Sequence, residues 1–281
     1  MNEQELMKKV MEQVMQKLSP QGTPEAPALP PAAAPAEAKA EKVPSGSSAN
    51  FDPIGVTEYI GTAMGHTIGL VIANVDASLH EKMGIDKRFR SIGIISDRIG
   101  AGPQLMAADE AVKATNTEII SAEMPRDTEG GCGHGCLIIF GAEDVSDIRR
   151  AVEVTLSCLD TYFGDVWANE VGYLELQYTA RASYCLNKAL GAPVGKAFGL
   201  VLGAPAGIGV VISDTALKAA EVEAYAYCSP SKGTSFTNES FVMITGDSGA
   251  VRQAIRSARE VGVKLLATLG SEPKSTTTPY I

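Results

Sequence analysis

The side chains able to do chemistry gather in a few short stretches. Cys132, His134 and Cys136 alternate with glycine in CGHGC, and thiolates beside an imidazole are donors that zinc or iron would select. The spacing matches none of the usual zinc patterns and no fourth ligand is evident, so these three are weak metal candidates and no resident metal or cofactor is expected. A nucleophilic Cys132 with His134 as its base is weaker again, because neighbours two apart on a glycine-rich loop rarely hold catalytic geometry. Gly100, Gly102 and Pro103 imitate a dinucleotide-binding turn but lack the third glycine and the downstream acid. His66 and His80 read as surface or packing residues. With no catalytic group assigned, the pattern that remains is D-x-x-x-K, present as Asp109 to Lys113 and again as Asp214 to Lys218. On a helix this spacing makes an i, i+4 ion pair, and its recurrence needs a cause.

The cause is duplication. Residues 207–223 (GIGVVISDTALKAAEVE) restate 102–118 (GPQLMAADEAVKATNTE) at an offset of 105 residues. The same shift carries Ala77 and Ser78 onto Ala182 and Ser183, and LIIFG (137–141) onto VMITG (242–246). With a slip of two it carries Gly84 onto Gly191. A register held through helix-like and strand-like segments marks a repeated domain. The chain has 281 residues, a net charge of -9 and 45% hydrophobic residues, enough for two cores of ordinary size. The acidic balance argues against nucleic acid, which asks for a basic face. Five scattered cysteines and no signal-like start fit free thiols in a reducing cytosol. No apolar run approaches the roughly eighteen residues of a membrane span, so no membrane partner is expected.

Taken in order, residues 1–18 form an amphipathic helix with Leu6, Met7, Val10, Met11, Val14, Met15 and Leu18 on one stripe. The stripe suits a tether docking into a partner groove, since Met adapts to irregular surfaces. Residues 19–50 are a Pro/Ala-rich linker. A first domain over 51–160 reads as strand 69–74, helix 77–83, strand 91–95, helix 104–115, strands 118–123 and 136–140, and helix 146–159. A second over 161–281 repeats the order with 173–180, 182–190, 198–202, 208–219, 223–227, 241–245 and 250–261. The tail, 271–281, is polar and expected to be loose. Helices beside a mostly antiparallel sheet, twice over, give a tandem α+β fold.

These residues resemble a known family, the shell proteins of bacterial microcompartments. Its domain carries a strand, an alanine-rich helix with D-x-x-x-K, two strands around a pore loop, and a helix after G-D-x-G-A-V. Here those are AFGLVL (197–202), DTALK (214–218) and GDSGAVRQAI (246–255). A strand and helix placed before each core resemble the circularly permuted, tandem-domain members. RSIGI (90–94), ADEAVKATNTE (108–118), LELQYTARASY (174–184), GTSF (233–236) and ATLGSEPK (267–274) are most similar to the B-type tandem shell proteins of propanediol-utilization compartments.

The resemblance implies a non-enzymatic homotrimer forming a pseudohexagonal tile on a ferredoxin-like domain, packed beside other shell proteins in a microcompartment shell in the cytoplasm. It implies that Lys113 and Lys218 lie at the tile edge. It makes 126–135 and 229–238 the pore loops, with Arg126, Asp127, Thr128, Glu129, Gly130, Gly131, Gly133 and His134 lining one passage and Ser231, Lys232, Gly233, Thr234 and Ser235 the other. Small, polar linings suit small polar metabolites such as diols or glycerol. The N-terminal helix would bind lumenal enzymes. Some tandem members hold an iron–sulfur cluster at the axis, but the B-type pattern does not require cysteines here. The alternative is a ligand-binding regulator or enzyme on a duplicated ferredoxin-like domain, with the domain interface as its pocket.

Overall fold

The computed structural model describes residues 56–125, 135–232 and 238–281. The expected N-terminal helix and linker lie outside them. The described residues form one compact unit.

The first half runs β1 (Tyr59–Ala63), β2 (Thr67–Ile72), α1 (Ala77–Lys82), β3 (Ser91–Asp97), α2 (Gly102–Ala114), β4 (Glu118–Glu123), β5 (Cys136–Ala142) and α3 (Val145–Tyr162). A 3-10 turn, Phe163–Asp165, leads into β6 (Val166–Ala168), β7 (Tyr173–Thr179), α4 (Tyr184–Leu190), β8 (Ala197–Ala204), α5 (Ala206–Ala219), β9 (Val222–Cys228), β10 (Ser240–Gly246), α6 (Ser248–Leu266) and β11 (Lys274–Ser275). The sheets are ordered β1-β2-β3-β5-β4 and β11-β6-β7-β8-β10-β9, and every strand pairing is antiparallel. Without β11 the two orders are the same. Even an irregularity recurs: β4 bulges at Ile120 against β5, and β9 bulges at the matching Tyr225 against β10.

The long helices form for reasons visible in their residues. Asp144 caps α3 by accepting from Ser146 N–H at 2.8 Å, and Asp247 caps α6 by accepting from Gly249 N–H at 2.9 Å. Ile148, Ala151, Val152, Thr155 and Leu159 form the buried stripe of α3, and Val251, Ala254, Ile255 and Ala258 that of α6. Each helix sinks into its sheet over a glycine. A Cβ on Gly93 would stand 2.9 Å from Val152, and one on Gly199 would stand 2.9 Å from Val251, so any side chain there would lift the helix off.

Three short strands, β1, β6 and β11, escape the sequence reading, and one expectation is overturned: the polar tail is docked rather than loose. Asp165, fully buried, accepts from the main-chain N–H of Tyr280 and of Ile281, each at 2.9 Å, and from Arg259 at 2.6 Å. Tyr280 packs edge-on to Tyr162 and donates to Gln177 at 3.1 Å. Several of the tail's polar side chains also bond to the chain itself: the hydroxyls of Ser275, Thr276 and Thr277 donate to the carbonyls of Gly164, Val166 and Asp160.

Candidate functional site

The two D-x-x-x-K motifs fold alike and land in different surroundings. Helix α2 of the first domain lies against α4 and β7 of the second. There Leu105 and Met106 are buried, in the same apolar cluster as Leu186, Leu200 and Leu202. Between them sits Asp109, wholly buried, accepting from the Ser183 backbone N–H at 2.9 Å and from its hydroxyl. Ser183 is also the N-cap of α4. The Lys113 ammonium stands 2.8 Å from Asp109 Oδ2 and 2.9 Å from Glu110, and donates to Thr179 Oγ1 at 3.2 Å. Burial alone would lower its pKa, but the bonds to Asp109 and Glu110 outweigh that and hold it above the usual lysine value. Lys188 closes the joint by donating to the Ile119 carbonyl at 3.1 Å.

In the second domain the motif is bare. Lys218 pairs with Asp214 at 2.7 Å, but their side chains are 75% and 60% exposed. At the offset of 105 the buried Leu105 and Met106 become Val210 and Val211, both about half exposed. The matching opposite face is bare too: Leu79 on α1 and Met83 just after it are exposed, where Leu186 of α4 is fully buried. Caps fix this second register, which replaces the pairing of Ala77 and Ser78 with Ala182 and Ser183 read from the sequence. Asp76 and Ser183 are the N-caps, and Gly84 and Gly191 the left-handed residues after each helix, an offset of 107. None of these apolar residues stands out in the sequence by itself, although the repeat pairs each of them with its buried counterpart.

The pore-lining candidates Arg126 to His134 and Gly233 to Ser235 lie outside the described residues. Of the second loop, Ser231 and Lys232 are placed. Ser229 and Lys232 close a turn by exchanging backbone hydrogen bonds of 2.8 and 3.0 Å, and the Lys232 ammonium sits 5.7 Å from the Tyr227 ring centre. The roots of the two loops, Met124 and Glu239, border a small cavity between the domains, of about 50 Å³. Its lining is mostly apolar, with Leu105, Leu200 and Phe241, and includes Glu175 and Glu239. Both acids are buried, and Glu239 accepts from the Tyr173 hydroxyl.

Of the metal candidates, Cys132 and His134 lie outside the described residues. Cys136 is buried, with its N–H donating to Asp97 Oδ1 and its thiol to Oδ2, each at 2.9 Å. Burial, then the Asp97 charge, pushes this thiol well up, away from the thiolate a metal needs. Among the described residues no group of three or more His, Cys, Asp or Glu could hold a metal ion. His80 is a packing residue, its Nε2 3.0 Å from the Phe89 carbonyl. Gly100, Gly102 and Pro103 turn the chain into α2, where the Gln104 side chain accepts from Ala101 N–H at 3.0 Å.

A repeated, antiparallel α+β domain with an asymmetric joint defines a tandem-domain class, and sequence comparison gives the class its family. The family model described as "BMC domain" matches residues 91–171 and 197–272. The chain belongs to this family, the shell proteins of bacterial microcompartments. It is 63% identical over 226 residues to the bacterial microcompartment shell protein PduB of Salmonella typhimurium, covering 80% of this chain and 84% of that one. A crystal structure of a trimeric shell protein PduB superposes with a TM-score of 0.77 at 55% identity, over 80% of this chain and 99% of that one. EtuB from Clostridium kluyveri gives a TM-score of 0.77 at 54% identity with the same coverage. Among the described residues no helix is long and apolar enough to cross a membrane.

Proposed function

We propose that this shell protein works as a pseudohexagonal tile made of three copies joined head to tail. One observation carries the reading: the bare faces on α5 and α1 are the two halves of the internal joint, displaced by one domain. Val210 and Val211 of one copy need the surroundings that Leu105 and Met106 have, and Leu79 of the next needs those of Leu186. A contact that repeats itself at each domain step is heterologous and must close into a ring or run on as a filament. A ring of six domains is closed by three chains, and the crystallised PduB relative is itself trimeric.

On this tile Lys113 and Lys218 lie near the rim and contact neighbouring shell proteins, Lys218 with the freer ammonium. The pore loops, 126–135 and 229–238, line passages for small polar metabolites such as diols or glycerol. The segments 1–18 and 19–50 serve as a tether for lumenal enzymes of a propanediol-utilization type compartment. Native mass spectrometry checks the foundation: three copies are expected, and a chain that stays monomeric at micromolar concentration overturns the tile. Electron microscopy of the overexpressed protein should show flat sheets or rolled tubes. Removing residues 1–50 should leave the sheets and abolish enzyme loading; unchanged loading refutes the tether.

A further inference from the structure

We infer that the joint between copies is an acidified version of the joint inside each copy, and that it is therefore the exchangeable contact of the tile. The inference rests on the head-to-tail reading above. Among the hydrogen bonds of the internal joint, two come from polar side chains at the two ends of α4: the Ser183 hydroxyl, given to the buried Asp109 carboxylate, and the Lys188 ammonium, given to the Ile119 carbonyl at 3.1 Å. The register of 107 set by the caps of α1 and α4 puts Asp76 where Ser183 stands and Glu81 where Lys188 stands. The register of 105, fixed by the matched bulges in β4 and β9, puts Asp214 at the place of Asp109 and Ala224 at that of Ile119.

Between copies, then, both donors are exchanged for acids. Asp76 meets the Asp214 carboxylate of its neighbour, and Glu81 meets the Ala224 carbonyl. Two acceptors facing one another cannot form the bond that a hydroxyl and a carboxylate form, and two like charges at that distance oppose closure. Asp76 is pre-committed besides: its Oδ1 accepts from Ser78 N–H at 2.9 Å and from Leu79 N–H at 3.3 Å. Lys218 is already paired with Asp214 at 2.7 Å, and the basic groups of α1, His80 and Lys82, lie in its last turn, away from the Asp76 cap. The apolar half is thinner as well, with valines at 210 and 211 in place of leucine and methionine. A permanent joint and a reversible one have thus been built from one template.

The test is subunit exchange. Purified full-length protein, one batch isotopically heavy and one light, is mixed, and mixed trimers are followed by native mass spectrometry. The double variant Asp76→Ser, Glu81→Lys restores both donors on an exposed helix that buries no side chain of its own, so folding is not at stake. It should exchange at least tenfold more slowly than the unaltered protein. Equal or faster exchange by the variant overturns the inference while leaving the trimer in place, and so does an unaltered protein that does not exchange over days. An unaltered protein with no trimer to exchange overturns the tile reading itself.

Discussion

Helices α1 and α4 occupy the same place in the same topology, yet α1 buries no side chain whereas α4 buries Cys185 and Leu186 completely. Neither is long enough to be stable alone. The difference lies in what stands opposite: α4 has the α2 helix of its own chain, and α1 has solvent. A duplicated gene gives both helices the same form, but only one of them a partner inside the molecule. Burial here reports connectivity rather than propensity.

The sharpest way to break the comparison is to remove what only the second domain has. Its tail adds β11 to the sheet and hangs on Asp165, which takes hydrogen bonds from Arg259 and from two main-chain N–H groups. Asp165→Ala leaves Arg259 without its carboxylate in a mostly buried setting and frees the tail. A loss of about 4 kcal/mol is expected, read from the urea unfolding midpoint at fixed protein concentration, because assembly adds its own stabilisation. A loss below about 1 kcal/mol would return the tail to the loose state its composition suggests.

The next test sets the two joints side by side. Leu105→Ala opens a cavity in the closed joint and should cost about 3 kcal/mol of folding stability. Val210→Ala, at the matching place on the open face, should change the unfolding of a dissociated chain by less than about 0.5 kcal/mol, and should show itself instead as weaker trimers. If the two substitutions cost the dissociated chain the same, α5 is covered by something within the chain and the template argument fails.

How much of this could be read beforehand follows from where each signal resides. The α3 and α6 helices are announced by apolar side chains at helical spacing, and β4 is placed at its observed ends, because a core face writes itself into local periodicity. β1 (YIGTA) and β6 (VWA) carry no alternation to find, and exist because β2 and β7 offer them an edge. The tail misleads since polar residues look alike whether they bond to water or to a buried aspartate. The offset of 105 is plain in the sequence, but the slip to 107 across α1 becomes a statement about Asp76 and Ser183 only once the caps are seen. The loops 126–134 and 233–237 and the N-terminal stripe lie outside the described residues, so their expected roles stand on resemblance and composition.

The smallest contrast is the most specific. Lys113 and Lys218 share a motif, a helix position and an i, i+4 aspartate, so sequence assigns them one role. Yet Asp109 beneath Lys113 is fully buried, whereas Asp214 beneath Lys218 is mostly exposed. Lys113→Ala strands a buried carboxylate that retains only neutral donors, the Ser183 hydroxyl and the N–H groups of Ser183 and Leu186, and should cost about 2 kcal/mol. Lys218→Ala removes a solvated pair worth a few tenths of a kcal/mol to the dissociated chain. The sign of the pH dependence separates them further. The Lys113 value is raised in the folded chain, so its stabilisation is complete below the unfolded lysine value and fades as pH climbs through the folded one. The gap between the unaltered chain and Lys113→Ala, followed by urea unfolding, should hold through neutral pH and narrow only in strongly alkaline solution. A gap that stays fully open in strongly alkaline solution would mean that Lys113 stabilises the joint by its methylene stem and not by its charge.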